Sequence, residues 1–168
     1  MLDQALAQRA SVRTFTDQPV EPEAIHEILQ AAMAAPSAGN QQPWEFYVVR
    51  DADLRAQLAV ASPYSAPAGR APVVVVPCLR TAGARFPECA RLDLAAAVEN
   101  MLIQVSSLGL GAVWMAAYPH AERAQHVSAA LSLPAELTPF ALVAIGHPDR
   151  PVPAKGPERY DASRVHEL

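Results

Sequence analysis

The chain has 168 residues, half of them apolar (51%) and 18% charged, enough for one folding unit that buries about 70% of its unfolded surface. A net charge of −4 leaves no broad basic face, which argues against a nucleic-acid partner. Two cysteines outside any C-x-x-C pair and five histidines without ligand spacing predict no metal site and two free thiols in a reducing cytoplasm. The N-terminal stretch carries Asp3 where a leader would be basic, and no run of 18 apolar residues occurs, so neither a signal peptide nor a membrane span is expected.

Leu2, Leu6 and Ala10 recur at helical spacing and predict a short first helix. Arg9-Ala-Ser11-Val-Arg13-Thr-Phe15 follows. On extended backbone Ser11 and Arg13 share one side, and with Arg9 they offer a hydroxyl and guanidinium forks suited to a phosphate or a polarised carbonyl. Solvated surface is the commoner explanation of such a pattern. Pro22 suits the first position of a helix whose stripe is Ile25, Ile28, Leu29, Ala32 and Met33.

That helix stops before Pro36 and opens the most unusual stretch, Ala35-Pro-Ser-Ala-Gly-Asn-Gln-Gln-Pro-Trp44. Ser37, Gly39 and Asn40 tolerate tight or left-handed backbone, and Asn40, Gln41 and Gln42 bring uncharged donors and acceptors. Two readings fit: a tight helix-to-strand turn over a buried Trp44, or a loop whose amides and backbone N–H groups touch a ligand.

Trp44 to Val49 is predicted as a strand, Asp51 as a helix cap, and Leu54, Leu58 and Ala61 as the stripe of the next helix. Residues 63–72 are expected to be a loop. Val73 to Val76 has the composition of a strand covered on both faces, and 77–89 is expected to be a flexible excursion. A long helix is predicted from about Leu92 to Leu108, with Leu94, Val98, Met101, Leu102, Val105 and Leu108 on one stripe. Further apolar residues around it imply burial on most sides, in the core or against a partner subunit. Gly109 ends it. Gly109-x-Gly111 follows a helix and meets Trp114 at the third position, which excludes a dinucleotide fingerprint. A strand from Ala112 to Ala117, a helix from Pro119 to Leu131 and a strand from Phe140 to Ile145 complete the order. The fold class expected is α+β, a small mixed, mostly antiparallel sheet wrapped by helices, with 147–168 a polar tail that needs a surface to lie on.

With these pieces placed, the chain resembles the nitroreductase family of flavin-dependent NAD(P)H oxidoreductases. Four motifs carry the resemblance: Arg9-x-Ser11-x-Arg13-x-Phe15; Ala35-Pro36-Ser37-Ala38-Gly39-Asn40-x-Gln42-Pro43-Trp44; Glu99-Asn100-Met101-Leu102 followed by Gly109 and Gly111; and Ile145-Gly146-His147-Pro148 with Arg159-Tyr160-Asp161. The resemblance implies an intertwined homodimer built through the long helix, with FMN at the interface and NADH or NADPH as donor. It implies that Arg9, Ala10 and Ser11 meet the FMN phosphate and ribityl chain, and that Arg13 approaches the pyrimidine edge. Pro36, Ser37, Ala38 and Asn40 would contact the flavin held mainly by the other subunit. Trp114, Met115, Ala116 and Ala117 would pass the isoalloxazine ring, and Arg159, with Lys155, would close on the phosphate.

The chain departs from the family pattern at Ala116, where many relatives are acidic, in the loop from Ser62, and at Pro157, where a lysine is common. No catalytic side chain in the narrow sense is expected, since the cofactor carries the chemistry. The implied reaction is hydride transfer to flavin N5 and then reduction of a nitroaromatic, quinone or similar small molecule. The alternatives are a reductive dehalogenase-like or flavin-degrading enzyme on the same scaffold, or a flavin-binding, redox-sensing dimer without turnover.

Overall fold

The valine run is the centre of the sheet. In the computed structural model, which describes residues 3–153 and 159–168, it opens β2 (Val73–Arg80), whose side chains are buried from Val73 to Leu79. β-Branched side chains are at ease on extended backbone, and cover on both faces removes any need for a polar alternation. β2 pairs along one edge with β1 (Trp44–Val49). Along the other it pairs first with β5 (Ala141–Gly146) and then with β4 (Leu137–Pro139). β3 (Gly111–Ala116) pairs with β5, giving the order β1-β2-β5-β3. All these pairings are antiparallel; the parallel component is a single bridge from Ser11 to Ala112 at the outer edge of β3.

Helices cover both faces: α1 (Gln4–Gln8), α2 (Pro22–Met33), α3 (Ala52–Ala59), α4 (Pro67–Arg70), α5 (Ala90–Ser107) and α6 (Ala121–Leu131). Side chains alternate across a strand, so each strand serves two cores. On one face Ile25 and Ile28 of α2 and Leu94, Val98, Met101 and Val105 of α5 pack on Val73, Val75, Val143 and Ile145. On the other Leu58, Ala68 and Val127, one each from α3, α4 and α6, pack on Val74, Val76, Met115 and Leu142. Pro22 is the first residue of α2, the Asp51 carboxylate accepts from the Leu54 N–H at 2.9 Å at the start of α3, and Gly109 turns the chain after α5 at φ +70°.

Several expectations are corrected. β2 runs through Pro77 to Arg80, so the excursion begins only there. A proline survives in this central strand because its neighbour is interrupted beside it. β5 and β4 meet β2 on either side of Phe140, whose N–H donates to the Pro77 carbonyl at 2.9 Å. The loop after α3 contains α4, with Pro67 at the first helical position, where a missing N–H costs nothing. β4 was not expected. Met33, placed on the buried stripe of α2, is 48% exposed, and Leu92 at the start of α5 is 73% exposed. Among the described residues no helix is long and apolar enough to cross a membrane.

Candidate functional site

The first motif leaves α1 as extended backbone laid along the outer edge of β3. The Val12 N–H donates to the Ala112 carbonyl at 2.8 Å, and the Thr16 N–H to the His147 carbonyl at 2.9 Å. The Thr14 hydroxyl donates to the Asp149 carboxylate at 2.8 Å, so the start of the tail grips the motif from its other side. Val12 is buried while Ser11 and Arg13 are exposed, which is the alternation an extended chain imposes. Gly111 makes this approach possible. A Cβ there would stand 2.8 Å from three side-chain carbons of Val12.

Beyond Ala112 the outer edge of β3 has no strand partner among the described residues. In a strand the N–H and C=O of one residue point to the same side, and the side alternates along the chain. The Ala112 carbonyl faces outward, since it accepts from Val12. The N–H and C=O of Trp114 and those of Ala116 therefore face outward as well. Consistent with this, the Ala116 carbonyl accepts a hydrogen bond from Arg123 Nη1 at 3.3 Å. These groups lie at a groove of about 510 Å³ lined by Arg13, Trp114, Met115 and Ala116 together with Tyr64, Arg70 and Arg123. The Trp114 ring leans on Phe140 at 5.6 Å between centroids. Ala117 is buried, and its N–H bonds inward to the Phe140 carbonyl at 3.1 Å.

Ala10, Ser11 and Arg13 also border a smaller recess of about 190 Å³ with Arg150. Arg9 and Ala10 line the next cavity, of about 500 Å³, with Leu102, Pro151 and Val152. The motif thus runs as one wall past three adjoining hollows. Arg9 Nε lies 3.4 Å from Glu99 Oε1 on α5, which uses the acidic residue of the third motif to hold the guanidinium at the cavity. Asn100 beside it donates to the Ala31 carbonyl at 3.1 Å and ties α5 to α2.

The loop at 35–42 lies elsewhere, and the hollows along Arg9 to Arg13 include none of its residues. It folds against the first turn of α5. Asp93, a buried carboxylate, accepts from the Ala38 N–H at 3.0 Å and from Gln41 Nε2 at 2.7 Å. Gly39, Asn40 and Gln42 have φ of +57°, +54° and +47°, and the Ser37 hydroxyl accepts from the Gln42 N–H at 3.0 Å. Pro36 and Asn40 are exposed, while Ser37 and Ala38 are half-buried. Arg159 is exposed, and Lys155 lies outside the described residues. Near Arg159, hydrogen bonds from the Ser163 hydroxyl and N–H hold the Asp161 carboxyl below the usual carboxylate range, with Arg164 adding to the effect.

Sequence reasoning missed three of these residues: Asp93, which braces the loop with Gln41, and Arg70 and Arg123, which wall the groove. Only Arg123 left a trace: it is a cation in the first turn of α6, the end of a helix where positive charge is disfavoured.

The chain matches the model described as the nitroreductase family over residues 6–62 and 61–147. It is 34% identical, over 94% of its own length and 92% of the relative's, to an Archaeoglobus fulgidus protein named for NADH dehydrogenase and NAD(P)H nitroreductase activity. Among solved structures, one described as an NADH oxidase from Clostridium acetobutylicum superposes with a TM-score of 0.92 at 37% identity, covering 96% of this chain and 97% of the other. Another, described as a nitroreductase in complex with FMN from Desulfovibrio desulfuricans, superposes at 0.83 with 34% identity, covering 98% and 95%.

Proposed function

Because this chain belongs to the nitroreductase family, we propose that it is an FMN-dependent NAD(P)H oxidoreductase acting as a homodimer on small oxidised molecules. The observation that carries this reading is the edge of β3, where the outward N–H and C=O of Trp114 and the N–H of Ala116 lie in one groove with Arg13, while the Ala116 carbonyl is held by Arg123. A planar heterocycle with donors and acceptors around its rim suits such an edge, and a cation at one end suits a ring that gains negative charge. The wall continuing through Ser11, Ala10 and Arg9 suits a phosphate monoester at the other end.

When bound, FMN would supply hydride and electron-transfer chemistry between NADH or NADPH and a nitroaromatic, quinone or similar acceptor, in a ping-pong cycle. The chain's residues hold and polarise. Arg9, positioned by Glu99, and Arg159 bind phosphate; Ser11 orients the ribityl chain; Arg13 stabilises charge at the pyrimidine edge. The backbone of Trp114 and Ala116 fixes the ring in its plane. The loop of Pro36, Ser37, Ala38 and Asn40 reaches the flavin of the partner subunit, which accounts for its distance from the groove of its own chain. The tail at 147–153, whose start grips the first motif, and the stretch at 159–168 pack on that partner.

The test is direct. The purified protein is denatured and the released flavin chromatographed, and anaerobic addition of NADH or NADPH is followed at the flavin band. FMN that bleaches on donor addition and recovers with a quinone is the expected result. Release of FAD, or failure to take up added FMN, overturns the reading, as does a flavin that no donor reduces.

A further inference from the structure

The groove beside β3 carries more positive charge than a flavin edge accounts for. Its lining includes the guanidinium groups of Arg13, Arg70 and Arg123 and no carboxylate. Arg13 is taken up by the flavin reading, which leaves two. Arg123 is held in place: Nη1 donates to the Ala116 carbonyl at 3.3 Å, and its Cζ lies 6.0 Å from the centroid of the Tyr64 ring. Both contacts orient the cation without neutralising it. Arg70, the last residue of α4, is exposed. Asp17 and Asp149 line the adjoining hollow on its other side, yet neither forms an ion pair with it. Tyr64, 73% exposed, offers a flat aromatic face in the same lining.

Taking this as the flavin-side groove proposed above, we propose that Arg70 and Arg123 make the enzyme selective for electron acceptors that carry an anionic group on a planar ring. Two cations that pair with no carboxylate among the described residues, set in a concave wall, focus field toward the cavity and raise the local concentration of anions. A fork held in fixed orientation also suits a carboxylate or sulfonate bound in two places. Tyr64 supplies the stacking surface for the ring. The reaction balances as usual for such acceptors: a quinone gains two electrons and two protons to become the quinol, while NAD(P)H gives a hydride and becomes NAD(P)⁺, the second proton coming from solvent.

The probes are 1,4-naphthoquinone-2-sulfonate and the uncharged 2-methyl-1,4-naphthoquinone, compared as a ratio of kcat/KM with the FMN-loaded enzyme. The ratio is expected to fall as salt is added, because the contribution is electrostatic. Arg70→Gln and Arg123→Gln should each lower it by about tenfold, the loss of one charge-assisted contact, and Arg123→Lys should restore most of it. Calorimetric titration of the oxidised holoenzyme with anthraquinone-2-sulfonate should show matching losses of affinity without any turnover. A ratio that ignores salt and both Gln variants overturns the proposal. So does a result in which the Gln variants raise the KM for NAD(P)H and leave the ratio alone, since the arginines would then serve the donor. A wild-type protein that reduces neither quinone yet binds FMN defeats the enzymatic reading and this selectivity with it, whereas normal turnover of the uncharged quinone with no preference defeats the selectivity alone.

Discussion

Gln41 and Phe86 exchange two hydrogen bonds across a separation of 45 residues: Gln41 Nε2 donates to the Phe86 carbonyl at 2.9 Å, and the Phe86 N–H donates to Gln41 Oε1 at 2.9 Å. The same Nε2 donates to Asp93 at 2.7 Å. One amide therefore closes the loop at 35–42 onto the segment that leads into α5.

The first prediction concerns this clamp. Gln41→Ala leaves the Phe86 backbone without side-chain partners and the buried Asp93 carboxylate with only the Ala38 N–H. The expected destabilisation is about 2–3 kcal/mol, in the range for hydrogen bonds to a charged group, measured by urea unfolding. Gln41→Glu should be worse at neutral pH, because it sets a second carboxylate against Asp93, and should recover on acidification as one of the pair takes a proton. A Glu variant whose stability is flat between pH 7 and 5 would contradict the assignment.

The second prediction tests how the first motif is held. Gly111→Ala drives a methyl to 2.8 Å from Val12 Cβ, Cγ1 and Cγ2, so the extended segment must shift or the core must strain. Overpacking of this kind typically costs about 1–3 kcal/mol. Since Ser11 and Arg13 ride on the same segment, flavin retention should fall with it. Adding Val12→Gly removes all three contacts, whereas Val12→Ala would leave the one to Cβ, and the Gly double variant should regain retention. Equal loss in single and double variants would locate the defect elsewhere.

The third prediction is a pH dependence. Burial, with a smaller contribution from Glu45, pushes the Cys78 thiol up from 9.0 to about 12. In the unfolded chain the thiol loses its proton near 9.0, so between pH 9 and 12 the unfolded state binds fewer protons than the folded one. Stability therefore falls as pH rises through that window, at up to about 1.4 kcal/mol per pH unit from this group. Cys78→Ala should flatten the slope. At pH 8 a thiol reagent should label Cys89, which is half-buried, and spare Cys78 in the native protein. Labelling of both at equal rates would show that the β2 core opens readily.

Much of the fold was legible because local chemistry and tertiary packing agree in it. The Val73–Val76 run, the Pro22 start, the Asp51 cap and the Gly109 stop each fit a local solution, and each marks an element that formed, though β2 runs on past Val76 to Arg80. The failures share a cause. Pro77 reads as a strand breaker, and only the interruption of the neighbouring strand at Phe140, more than sixty residues away, makes it acceptable. The first motif was legible as an alternating pair, but the partner it lies against, Ala112, could not be read from periodicity. Gln41 was read as one of several uncharged donors in a loop. Its reciprocal bond to Phe86 depends on a segment with no pattern at all, so nothing marked it above Asn40 or Gln42. The third arginine of the groove, Arg123, is brought to β3 by the packing of α6, which sequence spacing does not encode.

The last prediction separates the two arginines of the first motif. Arg9 lies at the far hollow, 3.4 Å from Glu99 and with its side chain 23% exposed, whereas Arg13 lines the groove at Trp114. If Arg9 meets the phosphate, Arg9→Ala chiefly weakens FMN retention, by about 1.5–3 kcal/mol for one charge-assisted contact. Glu99→Gln should weaken retention less, because it loosens the guanidinium without removing it. If Arg13 faces the ring, the negative charge beside it appears only on reduction. Arg13→Ala should then hold oxidised FMN nearly as well as the native protein and lower the flavin's midpoint potential. Hydride acceptance slows in step, since the lost contact is stronger in the charge-developed state than in the ground state. Dissociation constants from flavin fluorescence and potentials from dye-equilibrated titration distinguish the two. An Arg13→Ala protein with an unchanged potential would remove Arg13 from the flavin edge, and an Arg9→Ala protein that retains FMN would leave the phosphate to Ser11 and Arg159.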